Sequence, residues 1–514
     1  MRLRIGIERF DPLKDTEPRI EWFEVEADER STFLDVLMQI ERLDPTIAIP
    51  YSCRRGVCGS CAVMVNDVAL PACSTSVLKI VKCLGNELVI KPLWLLPRLK
   101  DLVVDRSRVL DAIDRYRYWI HRSEPYIPPE KLSKDDALNV MSYRKCSLCL
   151  SCLATCPLKQ LDRRFGGALA FRMVAERELD PRDSLDRLGM VVNEGLYECM
   201  VCDACTAVCP QEIDVGKAVI ELRKEAWRRG LAPLKIKDAV ESVMDPDYGN
   251  PLWMPREERG DWVKGLAPSG EGKVLIFAGC MASYVDKQSV RALAKLLEVA
   301  GIKYVVLGEK EYCCGMPLYL AGAHEEARRV AQRNVEEIRS LGVEMIVTPC
   351  PSCYRMMKTI YPELGVEFRD IEIVHATQLL YELVNKGVIR IESKLPVVAT
   401  YHDPCDLGRH EGIYEEPRFL IESVVKEFEE MKRRRDYAQC CGAGGNLRIA
   451  NPRLSLAVGV ERLRKDLPPN AQVLAHACPT CRIQLAEASD ELGLSISNES
   501  IQELMLKALG IQID

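Results

Sequence analysis

Apolar residues alternate with polar ones at Leu3, Ile5 and Ile7, and again at Ile20, Trp22 and, past the adjacent Phe23, at Val25; the spacing predicts a short antiparallel strand pair. Ser31-Thr32 ahead of FLDVLMQIERL reads as a helix start. A cysteine-bearing loop then leads into a strand over Ala62–Val65, and the pattern closes near Val89–Leu93, so residues 1–122 are expected to form a small α+β domain. The Pro-rich SEPYIPPE at 123–130 reads as a semi-extended connector. Periodicity then turns helical, as in ALAFRMVAERELD and VGKAVIELRKEAWRRG, which predicts an all-α domain over 131–243. Residues 244–272 mix Pro, Gly and charge as a linker does.

The remainder, 273–514, repeats itself. KVLIFAGC at 273–280 corresponds to PVVATYHDPC at 396–405, and IVTPCPSC at 346–353 to VLAHACPTC at 473–481. The offsets Cys280 to Cys405, Cys313 to Cys440 and Cys350 to Cys478 are 125, 127 and 128 residues, as expected of one duplicated module. In each half, short β-branched runs end at cysteines and pass into helical patterns, which predicts α/β architecture with its sites at the carboxyl ends of strands.

Of 23 cysteines, 22 fall into five groups and only Cys83, in VKCLGNELVI, is left to pack as a small hydrophobe. Cys53, Cys58 and Cys61 with Cys73 form the C-x4-C-x2-C…C arrangement of a plant-type [2Fe-2S] site, with Gly56 and Gly59 placed to bring amides to the sulfurs. Cys146, Cys149, Cys152 and Cys156, then Cys199, Cys202, Cys205 and Cys209, form two C-x2-C-x2-C-x3-C-P runs of the bacterial ferredoxin kind. The fourth cysteine of such a run crosses to the other cluster, so one [4Fe-4S] site is expected from Cys146, Cys149, Cys152 and Cys209, and the other from Cys199, Cys202, Cys205 and Cys156. Zinc is the alternative occupant of each site. The last two groups are Cys280, Cys313, Cys314, Cys350 and Cys353, and Cys405, Cys440, Cys441, Cys478 and Cys481. Five thiols exceed what one tetrahedral ion needs, which argues for a multinuclear centre with a bridging thiolate; zinc stays open, above all for the first set. His402, Asp403 and His476 stand close enough to these cysteines to donate protons or hydrogen-bond sulfur, or else to be ordinary buried groups.

Composition narrows the classes. Length predicts about three domains of roughly 150 residues, and 47% hydrophobic with 28% charged residues is ordinary for globular folds. A net charge of -6 and a pI near 5.8 exclude the footprint of a nucleic-acid binder, and the basic run Lys432–Arg435 reads as a solvated helix face. No apolar run approaches the roughly 18–20 residues of a membrane span. A secreted disulfide scaffold would be short and follow a signal peptide, whereas this chain of 514 residues opens on MRLRIGIERFDP, so reduced thiols and a cytoplasmic location are expected.

With these residues in view, two family resemblances cover nearly the whole chain. Residues 1 to about 230 resemble the iron–sulfur subunit of succinate dehydrogenases and fumarate reductases, through IPYSCRRGVCGSCAV, Cys73, KPLWLLPRLKDLVVD and both ferredoxin runs. Those subunits usually lack the second cysteine of the second run and so carry a [3Fe-4S] centre beside a quinone site; Cys202 is present here, which implies [4Fe-4S] and argues against quinone chemistry. Residues from about 273 resemble the CCG-domain subunit of heterodisulfide reductase, whose cysteine sets hold noncubane [4Fe-4S] clusters. The fusion resembles the iron–sulfur subunit family of methanogen thiol:fumarate reductases. It implies a β-grasp [2Fe-2S] ferredoxin domain, an all-α dicluster ferredoxin domain and a duplicated α/β CCG domain. By the same resemblance, coenzyme M and coenzyme B thiols are oxidised to their mixed disulfide at Cys405, Cys440, Cys441, Cys478 and Cys481. The other repeat holds a second noncubane cluster or zinc. Electrons then pass singly through the two cubane clusters and the [2Fe-2S] centre to FAD in a separate flavoprotein subunit, where fumarate becomes succinate, so a heterodimer is implied. No G-x-G-x-x-G follows an early strand, in keeping with a flavin held elsewhere. The competing readings are a quinone-linked succinate dehydrogenase or fumarate reductase subunit, for which no amphipathic docking helix stands out, and a non-catalytic relay with zinc in a CCG repeat. Glycolate and lactate oxidase subunits share the ferredoxin and CCG parts but not the [2Fe-2S] domain.

Overall fold

The computed structural model describes residues 1–128 and 132–512; the end of the expected connector at 129–130, residue 131 and residues 513–514 lie outside them. Two compact units form, one from Met1–Leu222 with Lys432–Gln439, the other from Arg223–Met431 with Cys440–Asp514.

The first unit begins with strands β1 (Arg2–Arg9), β2 (Arg19–Glu26), β3 (Ala62–Val65), β4 (Val68–Pro71) and β5 (Glu87–Lys91), in the sheet order β2-β1-β5-β3-β4. Only the β1–β5 pair is parallel. Leu3, Ile5 and Ile7 are fully buried and pack with Phe33, Val36, Leu37 and Ile40 of the helix Phe33–Leu43. That helix starts where expected because Thr32 and Asp35 close a capping box: the Asp35 amide donates to Thr32 Oγ1 at 3.3 Å and the Thr32 amide to Asp35 Oδ2 at 2.9 Å. On β2 the apolar positions divide between the faces. Ile5 lies opposite Phe23 and Leu3 opposite Val25 on the core side, while Trp22 lies opposite Gly6 on the outer face under the Arg4 guanidinium. A short ribbon of β6 (Arg98–Lys100) and β7 (Val103–Val104) precedes the helical part, whose helix Gly167–Glu178 is buried along almost its whole length.

The second unit contains two parallel sheets. The first comprises β8 (Val274–Ile276), β9 (Tyr304–Val306), β10 (Met345–Thr348) and β11 (Glu372–His375), in the order β11-β10-β8-β9. The second comprises β12 (Leu395–Tyr401), β13 (Val425–Phe428), β14 (Val473–His476) and β15 (Ser497–Ser500), in the order β13-β12-β14-β15. Reading β8 to β11 as β12 to β15 makes the two orders identical, which is the duplication in three dimensions. In each sheet the chain goes first to one side of its opening strand and then to the other, so strand order reverses between β8 and β10 and between β12 and β14. A reversal of this kind leaves a crevice at the carboxyl ends of the two central strands.

Two expectations are corrected. The stretch 244–272, expected as a linker, belongs to the second unit: Arg256–Val263 form a 3-10 helix, and Trp262, 2% exposed, joins its hydrophobic core. The basic run Lys432–Arg435 is no helix face; it opens the segment that packs with the first unit, where Arg433 is buried and Tyr437 enters the core beside Cys83. The apolar anchor Tyr437 outweighs the neighbouring charges. Among the described residues, no helix is long and apolar enough to cross a membrane.

Thr32→Ala removes one half of the capping box and should destabilise the N-terminal domain by about 1 kcal/mol, read as a lower urea midpoint for loss of its tertiary signal. Thr32→Ser should stay near wild type; equal losses in both variants would discount the cap.

Candidate metal centres

Loop geometry in the first unit turns amides toward sulfur. The amides of Arg55 and Cys58 donate to Cys53 Sγ at 3.4 Å, that of Gly56 to Cys73 Sγ at 3.1 Å and that of Cys73 to Cys61 Sγ at 3.4 Å. Burial raises the Cys58 thiol, but hydrogen bonds from Ser60 and the Cys53 amide outweigh it and bring the group down to about 6. Burial pushes Cys61 up to about 12. Cys58 and Cys61, with such opposed tendencies, need a cation among the four converging sulfurs to be thiolates together, which fits a metal centre.

The ferredoxin runs group in the crossed sense. Cys146, Cys149, Cys152 and Cys209 line one cavity, and Cys156, Cys199, Cys202 and Cys205 another; Cys205 also reaches the first. Both runs carry the same backbone device: Leu148 and Leu150 in one, Val201 and Asp203 in the other, all with positive φ between 49° and 66°. Alternating left-handed residues turn successive amides inward and make an anion-binding concavity; non-glycine residues hold that conformation at about 1 kcal/mol or more each. Burial raises Cys152 and Cys205 well above the ordinary thiol range, and neighbouring cysteines add to it. A buried guanidinium answers this: Arg172, held by Glu176 at 2.8 Å and Tyr118 at 2.6 Å, faces Cys146, Cys152 and Cys209. Arg106 faces Cys149, Cys58 and Cys61 at once and donates to the Leu148 carbonyl at 2.5 Å. The first two sites are therefore neighbours, and Gly59 lies between them: its φ is +68°, and a Cβ there would stand 2.7 Å from the Ser147 carbonyl and 2.8 Å from Cys149 Cα.

In the second unit each cysteine set gathers at the crevice of its sheet. Cys280 and Cys350 follow β8 and β10, and Cys313-Cys314 follow β9. Thiol–thiol hydrogen bonds link Cys280 to Cys313, Cys313 to Cys314, Cys314 to Cys353 and Cys353 to Cys350. Cys314 receives two of them, from Cys313 and Cys353, and falls to about 6. Gly279, at φ +73°, admits the chain here because a Cβ would meet Cys353 Sγ at 2.7 Å. The second set repeats the network: Cys441, bonded to Cys440 and Cys481, falls well below the ordinary thiol range, and Cys481 is bonded to Cys478. Five cysteines per set, gathered about one acidic thiol, exceed the four a single tetrahedral ion takes and fit a multinuclear centre better. Cys350 lies near enough to Cys478 to raise it, so the two sets are neighbours.

The sets differ in access. All five cysteines of the first are buried, whereas Cys405 of the second is partly exposed. Cys280 instead faces the guanidinium of Arg259 at 3.7 Å; Arg259 is 1% exposed and pairs with Glu311 at 2.8 Å, and that carboxylate accepts from the amides of Ala278 and Gly279 at 2.9 Å. Sequence reasoning missed this pair. Glu311, two residues before Cys313, carried a positional signal; Arg259, in the expected linker, carried none. Asp406, beside Cys405, binds Ser352 at 2.5 Å and Arg355 at 2.8 Å and so ties the two cysteine loops together. Asp403 pairs with Arg418 at 2.8 and 2.9 Å, and His476 Nε2 lies 2.9 Å from Asn498 Oδ1, so both are engaged structurally.

Comparison with known proteins agrees with this division. Residues 4–111 match the 2Fe-2S iron–sulfur cluster binding domain, residues 142–213 the 4Fe-4S dicluster domain, and residues 274–358 and 399–486 the cysteine-rich domain termed CCG. The chain is 29% identical over 496 residues to a fumarate reductase (CoM/CoB) subunit of Methanothermobacter marburgensis, covering 96% of each. It is 31% identical over 467 residues to an uncharacterized iron–sulfur protein of Methanococcus maripaludis, covering 89% of this chain and 90% of the relative. It is 29% identical over 403 residues to one subunit of the dihydromethanophenazine:CoB–CoM heterodisulfide reductase of Methanosarcina acetivorans, covering 74% of this chain and 97% of that one.

Two substitutions test the geometry. Gly59→Ala should lower the bound [2Fe-2S] content, read in the visible circular dichroism, and full retention would show that the loops separate freely. Arg259→Leu leaves Glu311 buried without its cation and should destabilise the second unit by about 3–5 kcal/mol, with Arg259→Leu/Glu311→Gln recovering part of that loss in thermal unfolding.

Proposed function

The chain belongs to the family of iron–sulfur oxidoreductase subunits that includes the fumarate reductase (CoM/CoB) subunit of Methanothermobacter marburgensis, and from that premise we propose that it oxidises the thiols of coenzyme M and coenzyme B and passes the electrons to a flavoprotein partner that reduces fumarate. The observation that carries this reading is the extent of the correspondence: it runs over 96% of both chains and so takes in the [2Fe-2S], dicluster and CCG parts together.

In this reading two thiols lose two electrons and two protons as their S–S bond forms, and fumarate takes up two of each to become succinate. Cys405, Cys440, Cys441, Cys478 and Cys481 hold the centre where the thiols react, and Cys280, Cys313, Cys314, Cys350 and Cys353 hold its neighbour. Cys146, Cys149, Cys152 and Cys209, with Cys199, Cys202, Cys205 and Cys156, hold two [4Fe-4S] clusters, and Cys53, Cys58, Cys61 and Cys73 hold the [2Fe-2S] centre. Bound clusters supply one-electron steps that thiols and flavin can share. The chain's own residues set the conditions: the partly exposed Cys405 leaves the second set open to an incoming thiol, while burial of the first keeps solvent away.

The test uses the chain purified anaerobically with its flavoprotein partner. One succinate formed for each coenzyme M and coenzyme B pair consumed supports the reading; succinate formed only from a quinol donor overturns it. Cys440→Ser should cut thiol oxidation by at least ~100-fold while the [2Fe-2S] signal persists. An unchanged rate with every cluster intact would move the thiol chemistry to the Cys280 set.

A further inference from the structure

The second cysteine set contains a nitrogen donor that the first lacks. His402 lies just beyond β12 and is 1% exposed; among the described residues neither ring nitrogen meets a nitrogen or oxygen partner, and the polar group beside it is the Cys441 sulfur. Leaving a buried polar group unpaired costs about 1–3 kcal/mol. What the ring faces is sulfur: one imidazole nitrogen and the sulfurs of Cys441 and Cys481 all lie within 4.8 Å of one another. Aligning Cys405 with Cys280 sets His402 against Phe277, so the first repeat fills the same place with a fully buried hydrocarbon ring and keeps the Arg259 cation at Cys280.

We propose that His402 is a ligand to the metal centre of the second repeat, donating an imidazole nitrogen alongside Cys441 and Cys481, so that the two repeats hold chemically different centres. The first is all-thiolate and the second has mixed nitrogen and sulfur donors. Nitrogen and thiolate together suit iron and zinc alike. In an iron centre, a neutral imidazole offsets less of the metal's positive charge than a thiolate does, which favours the reduced state; histidine-for-cysteine exchange raises the potential of Rieske centres in this way. The duplicated sheets would then have diverged at one ligand, with the partly exposed set the more oxidising of the two.

The inference needs a metal centre in the second repeat but not the thiol reaction, and its test reads ligation rather than activity. Full-length protein is produced anaerobically with nitrogen-15 histidine and with natural histidine, and the signal of the second repeat is identified as the one lost in Cys478→Ser. If metal analysis finds iron there, pulsed electron paramagnetic resonance should show a histidine nitrogen coupling that changes with the isotope. That coupling should persist in His476→Asn and be lost in His402→Phe, which copies the first repeat. If zinc is found, X-ray absorption at the zinc edge should show imidazole scattering with the same dependence on the two variants. The isotope comparison in wild type needs no variant to fold, and the [2Fe-2S] and dicluster signals report folding of the rest. Absence of a histidine nitrogen in the wild-type centre, its survival in His402→Phe, or a second repeat without metal each overturns the proposal. Nitrogen ligation without thiol oxidation would overturn the functional reading instead and leave this one standing.

Discussion

Concentrating sulfur anions inside protein is the constraint on which the rest of the structure depends. A thiolate removed from water must find a cation or hydrogen-bond donors, or its pKa climbs until it is neutral. The first unit meets this with backbone: left-handed residues at matching places in both ferredoxin runs, and amides of Arg55, Gly56 and Cys58 directed at sulfur. Arg172 and Arg106 add charge where neighbouring sites would otherwise repel. The second unit uses side chains and topology, delivering cysteines from the ends of adjacent parallel strands and setting Arg259 with Glu311 against the most enclosed set.

Duplication explains why two sites arise but not why they differ. Both sheets share one strand order, and both sets centre on the second cysteine of a Cys-Cys pair, Cys314 or Cys441. The differences lie in what approaches the sulfurs, a guanidinium on one side and an imidazole on the other, and in the partial exposure of Cys405 where the other nine cysteines of the two sets are buried. A common scaffold fixes where cysteines converge, while residues outside the motif decide the charge and accessibility of what they hold.

Most of the cysteine groups were legible because metal ligation imposes short spacings that few other demands produce. The crossed grouping expected of Cys156 and Cys209 rests instead on how paired ferredoxin runs share their fourth cysteines, and the helix at Phe33 was legible because its capping residues are local. What stayed hidden depended on distant partners. Arg259 comes to Cys280 from a stretch whose composition reads as a linker, and Trp262 anchors that stretch in the core. The charges of Lys432–Arg435 masked the buried Tyr437 that follows them. On β2 the alternation was visible, but its face was not, because register depends on the pairing of Trp22 with Gly6.

Tyr437 has a further consequence. The eight residues Lys432–Gln439 belong to the first compact unit although the chain on both sides belongs to the second, and the last of them directly precedes Cys440. No single cut in the polypeptide therefore separates the units cleanly: a fragment starting after Leu222 would carry an orphaned loop with a bare aromatic ring, and its counterpart would keep a vacant slot in its core. The modularity that the ferredoxin and cysteine-rich parts display in sequence is therefore not that of the folded units, and simple truncation would release neither of them whole.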